Sequence, residues 1–352
     1  MATTCFTPMW PTVVRFTLLD NCGRPIYGPN SVFVTNSITD ITLSANVTEP
    51  EAWSMTRADG TICASATPDA ALESVSWDIG LCRIDPELVA EGNDSYTAVY
   101  DYMANIVGFD RRYGSVGDSG RAVAVEMWTQ IYSEGGTCDN PETGGEGQWG
   151  YVASFFVTNA NLGGEEMTFG GEANPYRWTA TGQSGARWGV GPYDVQMNPG
   201  EPPIPGPFIT PVPVDSALRM MSIDVEPPEP YCGGMPLSNP LAPPLLLLPG
   251  DDDMTVCATL ITDEGDWVID WGDGSPTEEL TGETEICHTY TEEDCYTIGV
   301  WADGNEQLYR AERMCVPQTM TLTVEPSSGE VPLEVVATVT GADETPTITW
   351  GD

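Results

Sequence analysis

The residues able to do chemistry in this 352-residue chain are unevenly supplied. It has 53 acidic residues against 12 basic ones, all twelve basic residues are Arg, and His288 is the single histidine. Without lysine there is no P-loop lysine, Schiff-base lysine or Ser-Lys dyad. One histidine excludes a two-His zinc site, and His288 as a general base competes with a structural role in a His-Thr-Tyr turn. Asp251, Asp252, Asp253, Asp270 and Asp273 are hard oxygen donors of the kind that bind Ca²⁺, but their spacing fits no EF-hand loop and suits a solvated surface. Two carboxylates suffice for glycoside hydrolysis, yet no helix–strand alternation of a barrel enzyme accompanies them. Ten cysteines include no C-x-x-C pair, which weakens a zinc reading. No catalytic, cofactor-binding or metal-binding residue is assigned, and no cofactor is expected.

The elements that would position these residues are mostly strands. Gly 37 and Pro 30 favour turn-rich β structure, and 41% hydrophobic residues suffice for packed cores. The formal charge of −41 opposes phosphate binding. It divides into −19 over residues 1–250 (29 acidic, 10 Arg) and −22 over residues 251–352 (24 acidic, 2 Arg). The opening MATTCFTPMWPTVV has no basic segment before an apolar run, so synthesis in a cytoplasm without an export signal is the expectation. Proline-rich sequence around 197–250 reads as extended connection, with the linker placed at 226–250.

Beyond the linker the chain repeats. TVCATLITDEGDWVIDWGD (255–273) aligns without a gap to EVVATVTGADETPTITWGD (334–352), with seven of nineteen residues identical. After the first copy, EICHTY, CYTIGVWADG and LYRAERMCV alternate strand and turn. Trp271-Gly272-Asp273-Gly274, then His288-Thr289-Tyr290 and Tyr296, resemble a PKD domain, an immunoglobulin-like sandwich. Asp294-Cys295 departs from the Gly-Thr usual there. The expected domains are 251–318, a complete sandwich, and 319–352, the start of a second. Half a sandwich exposes an apolar face, so a longer natural product is the expectation. Cys257, Cys287, Cys295 and Cys315 allow three pairings. Pairing 257–287 with 295–315 would join neighbouring strands; buried free thiols are the alternative.

The first 225 residues read as strands at 13–20, 31–47, 74–82, 121–134 and 148–162, with a short helix at 85–92. Asp85 is its cap, Pro86 its first residue and Gly92 its end. Cys22 and Cys82 are expected as core thiols, and Trp128, Trp149 and Trp188 as packing anchors. LDNCGRPIYGPNSV, LCRIDPELVAEG, AVAVEMWTQIY, QWGYVASFFVTNANLGG and ARWGVGPYDV, the last containing Trp188 and Gly189, together resemble the major tail tube protein of siphophages infecting actinobacteria. The resemblance spans most of residues 10–232.

It implies a mainly β fold, with two packed sheets and a flanking helix in the tail tube domain (1–225), followed by the immunoglobulin-like sandwich. It implies a structural virion protein rather than an enzyme, located in the tail. Subunits would form hexameric rings whose inner sheets join in a β-barrel, and rings would stack into a tube. The tape measure, tail terminator and distal tail proteins would be partners. Double-stranded DNA would pass through without specific binding, and the outer domains could touch host glycans weakly. A surface adhesin binding carbohydrate or calcium, and a carboxylate-only polysaccharide hydrolase, are the competing classes.

Overall fold

The computed structural model describes residues 7–49, 51–83, 85–92, 96–102, 105–111, 122–132, 148–162, 176–200, 202–250, 252–262, 265–281, 285–316, 321–325 and 336–340. The described chain is mainly β, with one short helix. It forms two compact units: Met1–Ile26 with Asn30–Pro236, and Tyr27–Pro29 with Leu237–Asp352.

The first unit contains β1 (Thr7–Leu19), β2 (Gly28–Thr35), β3 (Ile38–Thr48), β4 (Trp53–Thr56), β5 (Ile62–Ala66), β6 (Ala71–Leu81), α1 (Pro86–Gly92), β7 (Tyr96–Tyr100), β8 (Ile106–Arg111) and β9 (Ala122–Tyr132). It continues with β10 (Trp149–Leu162), β11 (Tyr176–Gly182), β12 (Gln196–Asn198), β13 (Ile204–Gly206), β14 (Arg219–Ile223) and β15 (Met235–Leu237). Nine strands make one sheet in the order β15-β2-β1-β9-β10-β11-β6-β3, with β14 added beside the start of β10. Instead of two separate sheets, this single sheet folds over on itself. Phe16 on β1 and Trp178 on β11 stand three strand positions apart, about 14 Å in a flat sheet, yet their rings meet edge-to-face at 4.8 Å. Trp77 on β6 likewise donates to the Ser154 hydroxyl on β10. The sheet does not close, and β3 and β15 remain its ends.

Between the folded halves lies a core of Val14, Phe16, Leu18, Val75, Trp77, Ile79, Leu81, Val123, Val125 and Trp178, the faces that period-2 alternation assigns. The other face is also covered. Leu19, Trp128, Tyr151 and Phe155 pack there under Trp188, Val195, Phe208 and Val212. β1 is therefore buried on both faces from Val13 to Leu19, although every other residue reads as outward. Helix α1 begins as its sequence dictates: the Asp85 carboxylate accepts from Glu87 N–H (3.0 Å) and Leu88 N–H (3.4 Å).

The second unit contains β16 (Leu245–Pro249), β17 (Thr255–Leu260), β18 (Asp266–Asp270), β19 (Glu278–Thr281), β20 (Glu285–Thr289), β21 (Asp294–Ala302), β22 (Asn305–Val316), β23 (Thr321–Glu325) and β24 (Val336–Thr340). Sheets β16-β17-β20 and β19-β18-β21-β22 make three strands plus four, the count of an immunoglobulin-type sandwich. Val256, Ala258, Leu260, Ile269, Trp271, Ile298 and Val300 fill its core. In the second repeat, β23 and β24 pair antiparallel, while Trp350, Gly351 and Asp352 lie outside the described residues.

Residues 226–250, expected as the linker, contain the division between the two units, after Pro236, and also carry the short strands β15 and β16. Tyr231 N–H donates to the Val34 carbonyl, and Gly233 and Gly234 N–H donate to the Asp85 and Glu87 carboxylates. β15 extends the large sheet and β16 is the first strand of the sandwich. Pro236 in β15 and Pro249 in β16 lie on sheet-edge strands, where a missing N–H need cost no ladder bond.

Candidate functional site

The tryptophan and histidine motifs converge in the sandwich. Trp271 is fully buried at the end of β18, and its ring stacks on His288 at 5.1 Å. The Tyr290 hydroxyl donates to the Trp271 carbonyl (2.9 Å), and the Tyr290 ring stacks on Tyr296 at 4.0 Å. His288 Nε2 lies 2.8 Å from Asp273 Oδ2, and the other Asp273 oxygen accepts from Ser275 N–H. Partial burial acts against the Asp273 charge, but hydrogen bonds from Ser275 and His288 outweigh it and hold the carboxyl at about 2. Gly272 has φ +76°, and a Cβ there would run into the Thr297 backbone carbonyl, so the turn admits only glycine. The sole histidine thus aligns a tight turn against a core tryptophan.

Of the acidic residues considered for calcium, Asp252 and Asp270 accept backbone N–H groups of their own turns, Asp273 pairs with His288, and Asp251 lies outside the described residues. Cys257 is bonded to Cys287 and Cys295 to Cys315. Both bridges join directly opposed residues of neighbouring strands, one within each sheet. Cys22 and Cys82, expected in the core, are exposed, as are Cys63 and Cys232. Cys22 sits in the turn after β1 and Cys82 just beyond β6, where strand alternation no longer dictates burial.

In the first unit Trp188 is buried beside Phe155, and Gly189 (φ +64°) turns the chain so that its carbonyl accepts from Val212 N–H. Trp128 is also buried, and Trp149 packs partly against the same cluster. Beneath this layer lies a polar network that sequence reasoning missed. The Arg15 guanidinium donates to both Glu126 oxygens at 2.7 and 2.8 Å, with both side chains buried. Tyr151 donates its hydroxyl to Glu126, and the Tyr193 ring covers the guanidinium at 3.4 Å. Thr17 and Tyr193 share a hydroxyl hydrogen bond of 2.8 Å. Burial acts against the Arg15 charge, yet the adjacent Glu126 carboxylate more than offsets it and raises the pKa. Burial, and then the Glu126 charge, push the Tyr151 phenol well above its ordinary value. The network fixes the 186–214 layer on the sheet; it faces core, not solvent.

The surface that lacks a partner is elsewhere. Every described residue from 44 to 73 is exposed. The far ends of β3 and β6 carry the β4–β5 hairpin beyond the core, with Trp53 52% exposed, Met55 59%, Ile62 66%, and Val47 and Leu72 also bare. The β7–β8 hairpin exposes Tyr100, Tyr102 and Val107. Among the described residues no helix is long and apolar enough to cross a membrane. No protein-family model matches the chain, and no curated protein matches it in sequence.

Proposed function

We propose that this chain is a structural subunit of a non-contractile phage tail tube, built of stacked rings that conduct DNA, with its immunoglobulin-like unit as outer decoration. The observation that carries the reading is the exposed β3–β6 arm tipped by β4–β5. A two-stranded hairpin with bare apolar side chains is marginal in water, and burying residues such as Trp53, Met55 and Ile62 is worth roughly 1.5–3 kcal/mol each. Another copy of the chain is the natural cover, because a contact that closes makes a ring and one that does not close makes a filament. The unclosed ends of the large sheet, β3 and β15, fit the same demand. The segment resemblance across residues 10–232 supplies the class. Twelve arginines, dispersed and partly paired, offer few anchors for phosphate, so DNA would slide through a lumen of carboxylates instead of binding.

Electron microscopy of the purified chain should show rings or tubes. Trp53→Ser with Met55→Ser should leave circular dichroism and thermal unfolding of the monomer unchanged while abolishing assembly. A wild-type chain that stays monomeric at high concentration, or a double variant that assembles normally, would overturn the proposal.

A further inference from the structure

We propose that in the reduced chain Cys257, Cys287 and Glu285 form a site for a thiophilic divalent cation of the zinc class, and that this site and the Cys257–Cys287 disulfide are alternative states of the same sulfurs. The site does not depend on the tail-tube reading.

Cys257 on β17 faces Cys287 on β20 directly, with Cα atoms 4.0 Å apart, and the next pair on that face is Thr259 with Glu285. Alternation places Glu285 and Cys287 on one side of β20, the side opposite the core formed by Val256, Ala258 and Leu260. The ligand atoms of the three residues lie within 4.8 Å of one another, and Cys287 Sγ is 3.8 Å from a Glu285 carboxylate oxygen. Ligand atoms around a tetrahedral zinc stand roughly 3.3–3.8 Å apart, given bonds of about 2.0–2.3 Å. Side-chain rotation alone therefore reaches that geometry once the sulfur–sulfur bond opens. Cys257 is buried while Cys287 and Glu285 are exposed, so the site opens to solvent on the Cys287 and Glu285 side, from which water supplies a fourth ligand. Two thiolates favour a soft or borderline cation over Ca²⁺ or Mg²⁺.

The redox step balances with a small-molecule disulfide as oxidant. The two metal-bound thiolates give two electrons to its sulfur–sulfur bond. The products are the Cys257–Cys287 bond, two small-molecule thiolates and the free cation. The other sheet holds an internal control. Cys295 and Cys315 are opposed in the same way, with Cα atoms 3.8 Å apart, but among the described residues no third ligand joins them.

The test titrates Cd²⁺ into the full chain reduced by a phosphine and reads thiolate-to-cadmium ultraviolet absorption. The wild type should bind one cadmium more than Cys287→Ser. Cys315→Ser should bind as the wild type does. Glu285→Gln should weaken binding by at least the roughly 10–100-fold that loss of even an outer-shell partner costs. Equal binding by wild type and Cys287→Ser, or an unchanged affinity in Glu285→Gln, overturns the site. A second measurement needs no variant: during reoxidation by glutathione disulfide, Zn²⁺ should slow formation of the 257–287 bridge, mapped by peptide analysis, and spare 295–315. Equal rates with and without Zn²⁺ at 257–287 would sink the proposal.

Discussion

At the scale of single residues, the two polar pairs that matter differ in how far the sequence exposes them. His288 and Asp273 belong to a recognisable Trp-Gly-Asp-Gly and His-Thr-Tyr pattern, so each was legible as a structural residue, though their contact with one another was not. Arg15 and Glu126 were not, because each occupies an outward position of an alternating strand and they are 111 residues apart. Only the 186–214 layer makes those positions interior. Removing one partner leaves a buried charge uncompensated. Glu126→Leu should destabilise the first unit by about 3–5 kcal/mol in denaturant unfolding, and adding Arg15→Met should recover most of that loss. Asp273 supplies a pH signature. Its carboxyl is held near 2 in the folded chain, below the ordinary value, so it contributes stability above about pH 4 that is lost as the pH falls towards 2. Asp273→Asn should flatten that part of the wild-type stability profile, as read by urea midpoints of the second unit between pH 5 and 2.

Among the elements, α1 was the most legible, since Asp85, Pro86 and Gly92 each sit where helix-end chemistry puts them. Its cap does more than close the helix: the second Asp85 oxygen accepts from Gly233 N–H at 2.8 Å and ties down the segment before β15. Asp85→Ala should therefore cost more than the about 1 kcal/mol of an ordinary cap, with faster amide exchange at Gly233 as the diagnostic. The apparent single strand at 31–47 is two strands, β2 and β3, divided at residues 36–37, and they pair with different neighbours. Composition cannot show such a corner, because both halves keep β-forming residues. At 226–250 the proline content marks the segment in which the two units divide, but it does not show the edge strands β15 and β16 within it. The β4–β5 arm escaped notice for a third reason: its apolar residues are few and interleaved with polar ones, so it reads as surface, which on the isolated chain it is.

For the whole molecule, the charge of −41 spreads over two units with separate cores, and its density is higher after residue 250. Unfolding should accordingly show separable responses to reductant. Among the described residues both disulfides lie in the second unit. Opening bridges with sequence separations of 30 and 20 should cost that unit about 3 kcal/mol each in chain-entropy terms. A denaturant titration with and without dithiothreitol should move the transition of the second unit to lower denaturant and leave the first in place. The placement of the bridges, one inside each sheet, also has a mechanical consequence. Among the described residues no disulfide crosses from one sheet to the other, so under load only the connecting loops and the shared core hold the two sheets together. The 30 and 20 residues enclosed by the bridges cannot pay out, which withholds roughly 170 Å of contour length at about 3.4 Å per residue. Such a module yields early but extends little, and each stapled sheet remains as a ready template for re-zipping when the load is released.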